Sequence, residues 1–299
     1  MCGACLLLLV PRSLRPIDIA FFTCICLVWA INLIVSRVLF TTFDVAPIFY
    51  ATLRFILVAV ILSPLLFPLP PRVWGFVGIG LLMGGLHFGL NFMSLATAPA
   101  GTVSIVLQSS VPFTAVLSWL LLAEVITLRM TLGIILSLCG VLVVIWKPGT
   151  SLLEPGLIFA LGSAGCIALG SVLLKRMPPI GPYRFQAWSA AVSIIPLVIM
   201  TYLLEFDRWG SAVAVGWPFW GALAFSVLLV TMFSHVGYIR LLQRYPASLM
   251  ASLGLMMPLM TIALGAVLLD EQVSLIMLAG AAIAIAGFVV VLWAPRPRP

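Results

Sequence analysis

The chain has 299 residues, 64% of them hydrophobic and only 8% charged, with a formal net charge of +7. A soluble domain carries roughly 45–50% apolar and about 25% charged residues, so too few polar side chains are present to clothe a water-soluble surface. These proportions exclude an ordinary soluble domain and point to a protein whose solvent is the bilayer.

Residues 1–16 begin MCGACLLLLVPR, whose apolar run is too short for a secretory leader and has no positive charge before it, so an uncleaved terminus is expected. Apolar stretches of roughly 18–25 residues then follow, each long enough to cross about 30 Å of hydrocarbon as a helix. In the first half the expected helices cover 17–37, 47–67, 73–95, 100–122 and 129–146. A linker over 148–154 separates them from 155–174, 184–203, 217–240, 247–268 and 273–293, and 294–299 form a tail. The hydrophobicity is continuous rather than alternating, which favours helices over a barrel.

Polar groups interrupt these stretches at few places. The first helix carries Trp29, Asn32 and Ser36 at i, i+3 and i+7, and the second carries Arg54. The third reads LHFGLNF over 86–92, with His87 and Asn91 one turn apart, and the fourth reads QSSVP over 108–112. The eighth repeats H-x-G with the second of two histidines, His235, followed by Tyr238; the ninth contains GLMMPLM over 254–260. Glu124 and Glu271 stand just before the fifth and tenth helices.

Eleven basic residues fall on the side that holds both termini and the even-numbered loops, against Arg37, Lys147 and Arg208 on the other. By the positive-inside rule both termini are expected in the cytoplasm, and the net charge reads as topology rather than as a nucleic-acid surface. The cysteines at 2, 5, 24, 26, 139 and 166 give neither a disulfide framework nor a metal-ligand spacing.

Residues 124–146 and 271–293 are identical at eight of 23 positions at an offset of 147: Glu124/Glu271, Leu128/Leu275, Met130/Met277, Gly133/Gly280, Gly140/Gly287, Val143/Val290, Val144/Val291 and Trp146/Trp293. Pro99-Ala100 matches Pro246-Ala247 at the same offset, the two H-x-G segments match at 148, and Pro112 and Pro258 at 146. Each copy holds five expected helices, an odd number, so the second must enter the membrane upside down. The expected fold is an all-α integral membrane protein of ten transmembrane helices in two inverted five-helix repeats, 17–147 and 155–293. That is a transporter architecture.

The ten-helix pattern, Leu53-Arg54-Phe55 in the second helix, the Ala98-Pro99-Ala100 entry to the fourth and the repeated Glu/Gly/Gly positions resemble the EamA-type exporters of the drug/metabolite transporter superfamily, among them bacterial amino-acid exporters. The resemblance implies a central cavity lined mainly by helices 1, 3, 4, 6, 8 and 9, and a place in the bacterial inner membrane.

Polar side chains are costly in lipid and should face such a cavity. Trp29, Asn32, His87, Asn91, Gln108, Ser109, Ser110, His235, Tyr238 and Met257 are the candidate cavity residues. His87 and Gln108 lie at similar depth on either side of the turn near Thr97, whereas His235 is expected toward the cytoplasm and His87 toward the outside. Pro112 and Pro258 are candidate kinks, and Pro112 should free the carbonyl of Gln108 for a ligand. The competing reading is that these polar groups bond one another and only hold helices together. Arg54, Glu124 and Glu271 are read as structural charges, Arg54 by snorkelling and the glutamates by capping the helices they precede, beside Thr127 and Ser274 as candidate N-caps.

No carboxylate falls at mid-membrane and no phosphate-binding loop occurs, so neither an acidic proton relay nor ATP is expected to drive the protein. The expected function is alternating-access, facilitative export of aromatic and other neutral amino acids or related metabolites. A multidrug or metabolite exporter coupled to protons through histidine is the alternative, and a membrane-embedded enzyme a remoter one. A small solute and the bilayer are the expected partners, with no cofactor, metal or nucleic acid, and a monomer suffices.

Overall fold

The computed structural model describes residues 15–122, 128–145, 155–245, 247–254 and 256–292. They form α1 (Pro16–Thr41), α2 (Pro47–Leu66), α3 (Val73–Thr97), α4 (Ala100–Leu122), α5 (Leu128–Ile145), α6 (Pro155–Lys175), α7 (Pro182–Arg208), α8 (Trp217–Arg244), α9 (Ala247–Leu253), α10 (Met256–Leu268) and α11 (Leu275–Leu292). A short helix, Trp209–Ala214, joins α7 to α8, and no strand occurs among the described residues. Prolines at the first positions of α1, α2, α6 and α7 set the helical φ where no backbone donor is needed.

Among the described residues seven helices, α1–α4 and α6–α8, are long and apolar enough to span a membrane. Large apolar side chains such as Val60, Leu142, Leu203, Val267 and Leu275 are more than half exposed, a surface suited to lipid rather than water. The stretch expected over 247–268 is divided between α9 and α10 near Gly254. Glu124 and Thr127, with the linker 148–154, lie outside the described residues.

Among the glycine contacts, backbone comes closest to backbone between α5 and α11. A Cβ on Gly140 would lie 2.4 Å from the backbone nitrogen of Ala284 and 2.6 Å from the carbonyl oxygen of Gly280; one on Gly287 would lie 2.4 Å from the nitrogen of Ser137 and 2.6 Å from the oxygen of Gly133. Adding 147 to Gly140, Ser137 and Gly133 gives Gly287, Ala284 and Gly280, so each contact is the other with its partners exchanged. The hydrogen bond from Ser137 Oγ to Ala284 O, 3.1 Å, joins two residues at that offset. Because residue 140 meets 280–284 while 133–137 meet 287, the two similar segments run antiparallel.

The remaining packing follows the same exchange. α3 packs on α6 as α8 packs on α1, α4 on α6 as α10 on α1, and α3 on α7 as α8 on α2, while α2 and α7 pack on each other. Thr52 and Thr201 share a hydroxyl hydrogen bond of 2.8 Å across that last seam.

Helix ends are closed by groups from other helices. At one end of the bundle Glu205 accepts from the backbone of Ile48 and Phe49 at the start of α2, 3.0 and 2.7 Å, and Arg208 pairs with Asp44. Glu271 accepts there from Ala100 and Gly101 at the start of α4, 2.9 and 3.3 Å. The expectation that Glu271 caps the helix it precedes is therefore corrected. Ser274 caps that helix, through Met277 N at 3.1 Å, and the left-handed Asp270 (φ 51°) turns Glu271 back across the bundle. At the opposite end Gln243 donates to Ile180 O and Tyr245 to Asp18, both at 2.7 Å, the latter bond raising the pKa of the phenol.

Gly140→Ala and Gly287→Ala each place a methyl against backbone that cannot rotate away, and each is expected to cost about 1–3 kcal/mol. Thermal unfolding in detergent checks this: both should melt below the parent, and Gly78→Ala, where a Cβ meets open space, should not.

Candidate functional site

Between the halves lies a cavity of about 140 Å³. Of the expected residues, Trp29 and Asn32 from α1, His87 and Asn91 from α3, Gln108 and Ser110 from α4, His235 and Tyr238 from α8 and Met257 from α10 all line it. Ser109 does not: its side chain is buried off the wall. Helix α7 also contributes, through Phe185, Gln186 and Ser189, which corrects the expected set of lining helices. Gln186, Ser189 and Ser193 fall at i, i+3 and i+7, the same spacing that singled out the first helix, so a signal for them was present.

Two local distortions aim side chains into this space. α3 is π-helical over Leu82–Leu86, immediately before His87, and α8 over Ser226–His235. A π-turn leaves backbone groups unsatisfied, and hydroxyls supply the missing bonds. Gly85 N donates to Ser193 Oγ at 2.7 Å and Gly80 O accepts from Ser189 Oγ at 3.1 Å. In α8, Thr231 and Ser234 donate to the carbonyls five residues earlier, at 2.9 and 3.0 Å. Gly84 and Gly85 permit the approach, since a Cβ on Gly84 would lie 2.4 Å from Ser193 Oγ.

The histidines come closer together than the expected separation in depth. The ring of Phe88 lies 4.8 Å from that of His87 and 5.0 Å from that of His235. Their helices enter from opposite ends and each histidine is more than a dozen residues in, so both reach the middle. His87 Nδ1 lies 3.1 Å from Ser163 O and 2.8 Å from Ser163 Oγ, and that hydroxyl lies 2.9 Å from His87 O. One arrangement satisfies all three contacts: the hydroxyl donates to His87 O and Nδ1–H donates to Ser163, leaving Nε2 as an acceptor. His235 stacks obliquely on Trp29, ring centroids 5.3 Å apart, and Tyr238 closes the group at 5.5 Å from Trp29.

The breaks in α4 and between α9 and α10 meet at the cavity. Gln108 and Ser109 form a turn four residues before Pro112, and Gly254 stands four before Pro258. Gln108 Nε2 donates to Gly254 O at 3.3 Å, which joins the two kinks. The Gln108 carbonyl, expected to be free, instead accepts from Val111 N at 2.9 Å, as Gly254 O accepts from Met257 N at 3.0 Å. Nor do His87, Asn91 and Gln108 bond one another. On the cavity wall, Trp29 Nε1, Asn32 Oδ1, Asn91 Oδ1 and His235 Nε2 are buried without a hydrogen-bond partner among the described residues. Unpaired polar atoms in a low-dielectric interior cost about 1–3 kcal/mol each unless a solute meets them.

Arg54 does not snorkel. It is 1% exposed, donates from Nε and Nη2 to Thr231 Oγ1 at 2.9 and 2.8 Å, and lies 4.3 Å from the centroid of Phe88. It thus ties α2 to the π-helical part of α8 from behind the cavity wall. Among the described residues no group of three or more His, Cys, Asp or Glu could hold a metal ion.

The sequence model of EamA-like transporters matches residues 17–146 and 154–293. The chain belongs to the EamA-like transporter family. Two similar proteins, each named a probable amino-acid metabolite efflux pump, come from Salmonella typhimurium strain LT2, 28% identical over 285 residues, and Escherichia coli strain K12, 28% over 287. Each alignment covers 92% of this chain and 94% of the relative. The uncharacterized transporter YvbV of Bacillus subtilis strain 168 is 26% identical, with 90% and 88% covered. A solved structure aligns with a TM-score of 0.66 at 18% identity, over 93% of this chain and 96% of that one; at that identity the likeness concerns the fold. EamA-like membership and these names point to a transporter rather than an enzyme.

The Arg54 contacts yield a double-mutant test. Thr231→Val removes the acceptor of a buried cation and should destabilise the protein by at least about 1–3 kcal/mol. Adding Arg54→Leu removes the charge as well and should recover much of that loss. Denaturation of the two single variants and the double variant in detergent measures the coupling; additive effects would mean the bond is energetically idle.

Proposed function

We propose that this EamA-like protein exports neutral amino acids, aromatic ones among them, across a bacterial inner membrane by facilitative alternating access. In this reading 17–147 and 155–293 are two inverted five-helix repeats, ten membrane helices in all, with both termini cytoplasmic. The observation that carries the reading is an uncharged, mainly apolar cavity where the halves meet, with polar side chains and unpaired polar atoms set into its wall. Indole, amide, imidazole and hydroxyl groups can meet both ends of a zwitterion without holding either permanently. The aromatic rings of Phe22, Trp29, Phe88 and Tyr238 suit an apolar or aromatic side chain.

Several findings support the choice of solute and mode. A cavity near 140 Å³ is well below the roughly 300–1,000 Å³ of drug-sized sites, which favours a small metabolite. Two similar proteins bear the name of amino-acid metabolite efflux pumps. The described carboxylates sit at helix ends, so a proton taken up by either histidine would be a second buried cation near Arg54 with no acidic partner. That favours an uncoupled carrier. The antiparallel, reciprocal seam between α5 and α11 supports inverted halves, and the end of the bundle holding Lys175, Arg176, Arg240 and Arg244 is assigned to the cytoplasm by its positive charge.

Purified protein in liposomes tests this with labelled neutral amino acids, with and without an imposed pH gradient. Saturable uptake indifferent to the gradient is expected. Uptake that requires the gradient would transfer the reading to proton coupling, and no amino-acid uptake would remove the substrate assignment. Asn91→Ala and Gln108→Ala are expected to lower flux by roughly tenfold or more, a hydrogen bond to a charged group being worth about 1.5–3 kcal/mol. Unchanged melting temperatures would show that the folded protein remains.

A further inference from the structure

Two basic side chains occupy matching places at opposite ends of the bundle. Arg37, at the end of α1, donates from Nη1 to the carbonyl of Leu95 in the last turn of α3 at 2.8 Å. Lys175, at the end of α6, donates from Nζ to the carbonyl of Leu242 and, at 2.7 Å, to that of Tyr245, at the end of α8. The exchange that carries α1 and α3 onto α6 and α8 carries one contact onto the other. Leu95 and Leu242 are 147 apart, and Arg37 and Lys175 are 138 apart, within the spread from 137 at the start of the two family matches to 147 at their ends.

Each contact lies one turn beyond a pair of cavity residues on the same two helices. Asn32 and Asn91 precede Arg37 and Leu95; Ser171 and Tyr238, which share a 3.4 Å hydrogen bond, precede Lys175 and Leu242. Asn91 and Tyr238 are themselves 147 apart. A cation on the terminal carbonyls of a neighbouring helix is a directional bond, favoured by the helix dipole. The two cations are only partly buried, whereas the residues whose carbonyls they hold are buried, so on opening water can take over each cation.

We infer that Arg37 and Lys175 are the latches of an outer and an inner gate, each holding together the two helices that close the cavity on its side. The inference rests on the proposed alternating-access reading, in which inverted halves exchange roles and each latch opens in turn. Arg37 ties α1 to α3 on the outer side, where Glu271 is near enough to interact with it electrostatically, and Lys175 ties α6 to α8 on the inner side. They act on helix ends rather than on the solute, so they are positioning residues.

Pulsed electron–electron spin resonance separates this from plain helix capping. In full-length protein with its native cysteines replaced, one nitroxide pair is placed at Thr41 and Thr97 across the outer contact and another at Arg176 and Arg244 across the inner. Arg37→Gln is expected to shift the outer distances to longer values and leave the inner pair unchanged; Lys175→Gln should do the reverse. Arg37→Lys and Lys175→Arg should restore the parent distributions. Either glutamine variant leaving its own pair unmoved, or moving both pairs alike, would overturn the proposal. The distances are read without any solute, so failure of the amino-acid assignment leaves this result interpretable, and a purely structural role would lower the melting temperature without separating the two sides.

Discussion

Backbone meets backbone where α5 crosses α11, and the rest of the arrangement depends on that approach. Gly140 against Ala284 and Gly287 against Ser137 leave no room for a side chain at either glycine. Lipid is as apolar as leucine, so membrane helices associate through close packing and small residues rather than through hydrophobic burial. A contact that maps onto itself when its partners are exchanged fixes a local two-fold relation, and the pairings of α3 with α6 and α8 with α1 follow it. The cavity opens where those pairings face each other.

Placing polar groups in that cavity requires irregular backbone, and such backbone must be satisfied from within the protein. The π-turns of α3 and α8 end at the two histidines, and their freed groups are met by Ser189, Ser193, Thr231 and Ser234. The kinks before Pro112 and Pro258 are closed by local turns and joined through Gln108. Among the polar groups left over, four lie on the cavity wall, where an indole, two amides and an imidazole each have an unpaired atom. Paired kinks and paired π-turns concentrate the departures from regular helix around the cavity, where a moving carrier has most use for them.

Helix positions were legible in the sequence because length and continuous hydrophobicity decide them; the break near Gly254 was signalled only by its proline. Most of the cavity was legible for a related reason, since a polar side chain in lipid has few places to point. The failures came where tertiary contacts overrode local rules. Arg54 was read as snorkelling because its depth allowed it, yet Thr231 and Phe88, from distant segments, hold it fully buried. Glu271 was assigned to its own helix because it lies near that start, but Asp270 turns it toward α4. The Gln108 carbonyl finds a partner in Val111, which no argument from Pro112 alone would reveal. Depth counted along single helices also separated His87 from His235, although helices entering from opposite ends meet in the middle and Phe88 lies between them.

Alternating access requires that two inverted halves expose one small uncharged cavity to each side in turn. Counterflow tests it most directly: liposomes loaded with an excess of an unlabelled neutral amino acid are diluted into the same labelled compound at low concentration. An alternating-access carrier should accumulate label transiently above its equilibrium level as loaded sites exchange. A simple monotonic rise to equilibrium, with no overshoot at any internal concentration, would show a pore and contradict the account.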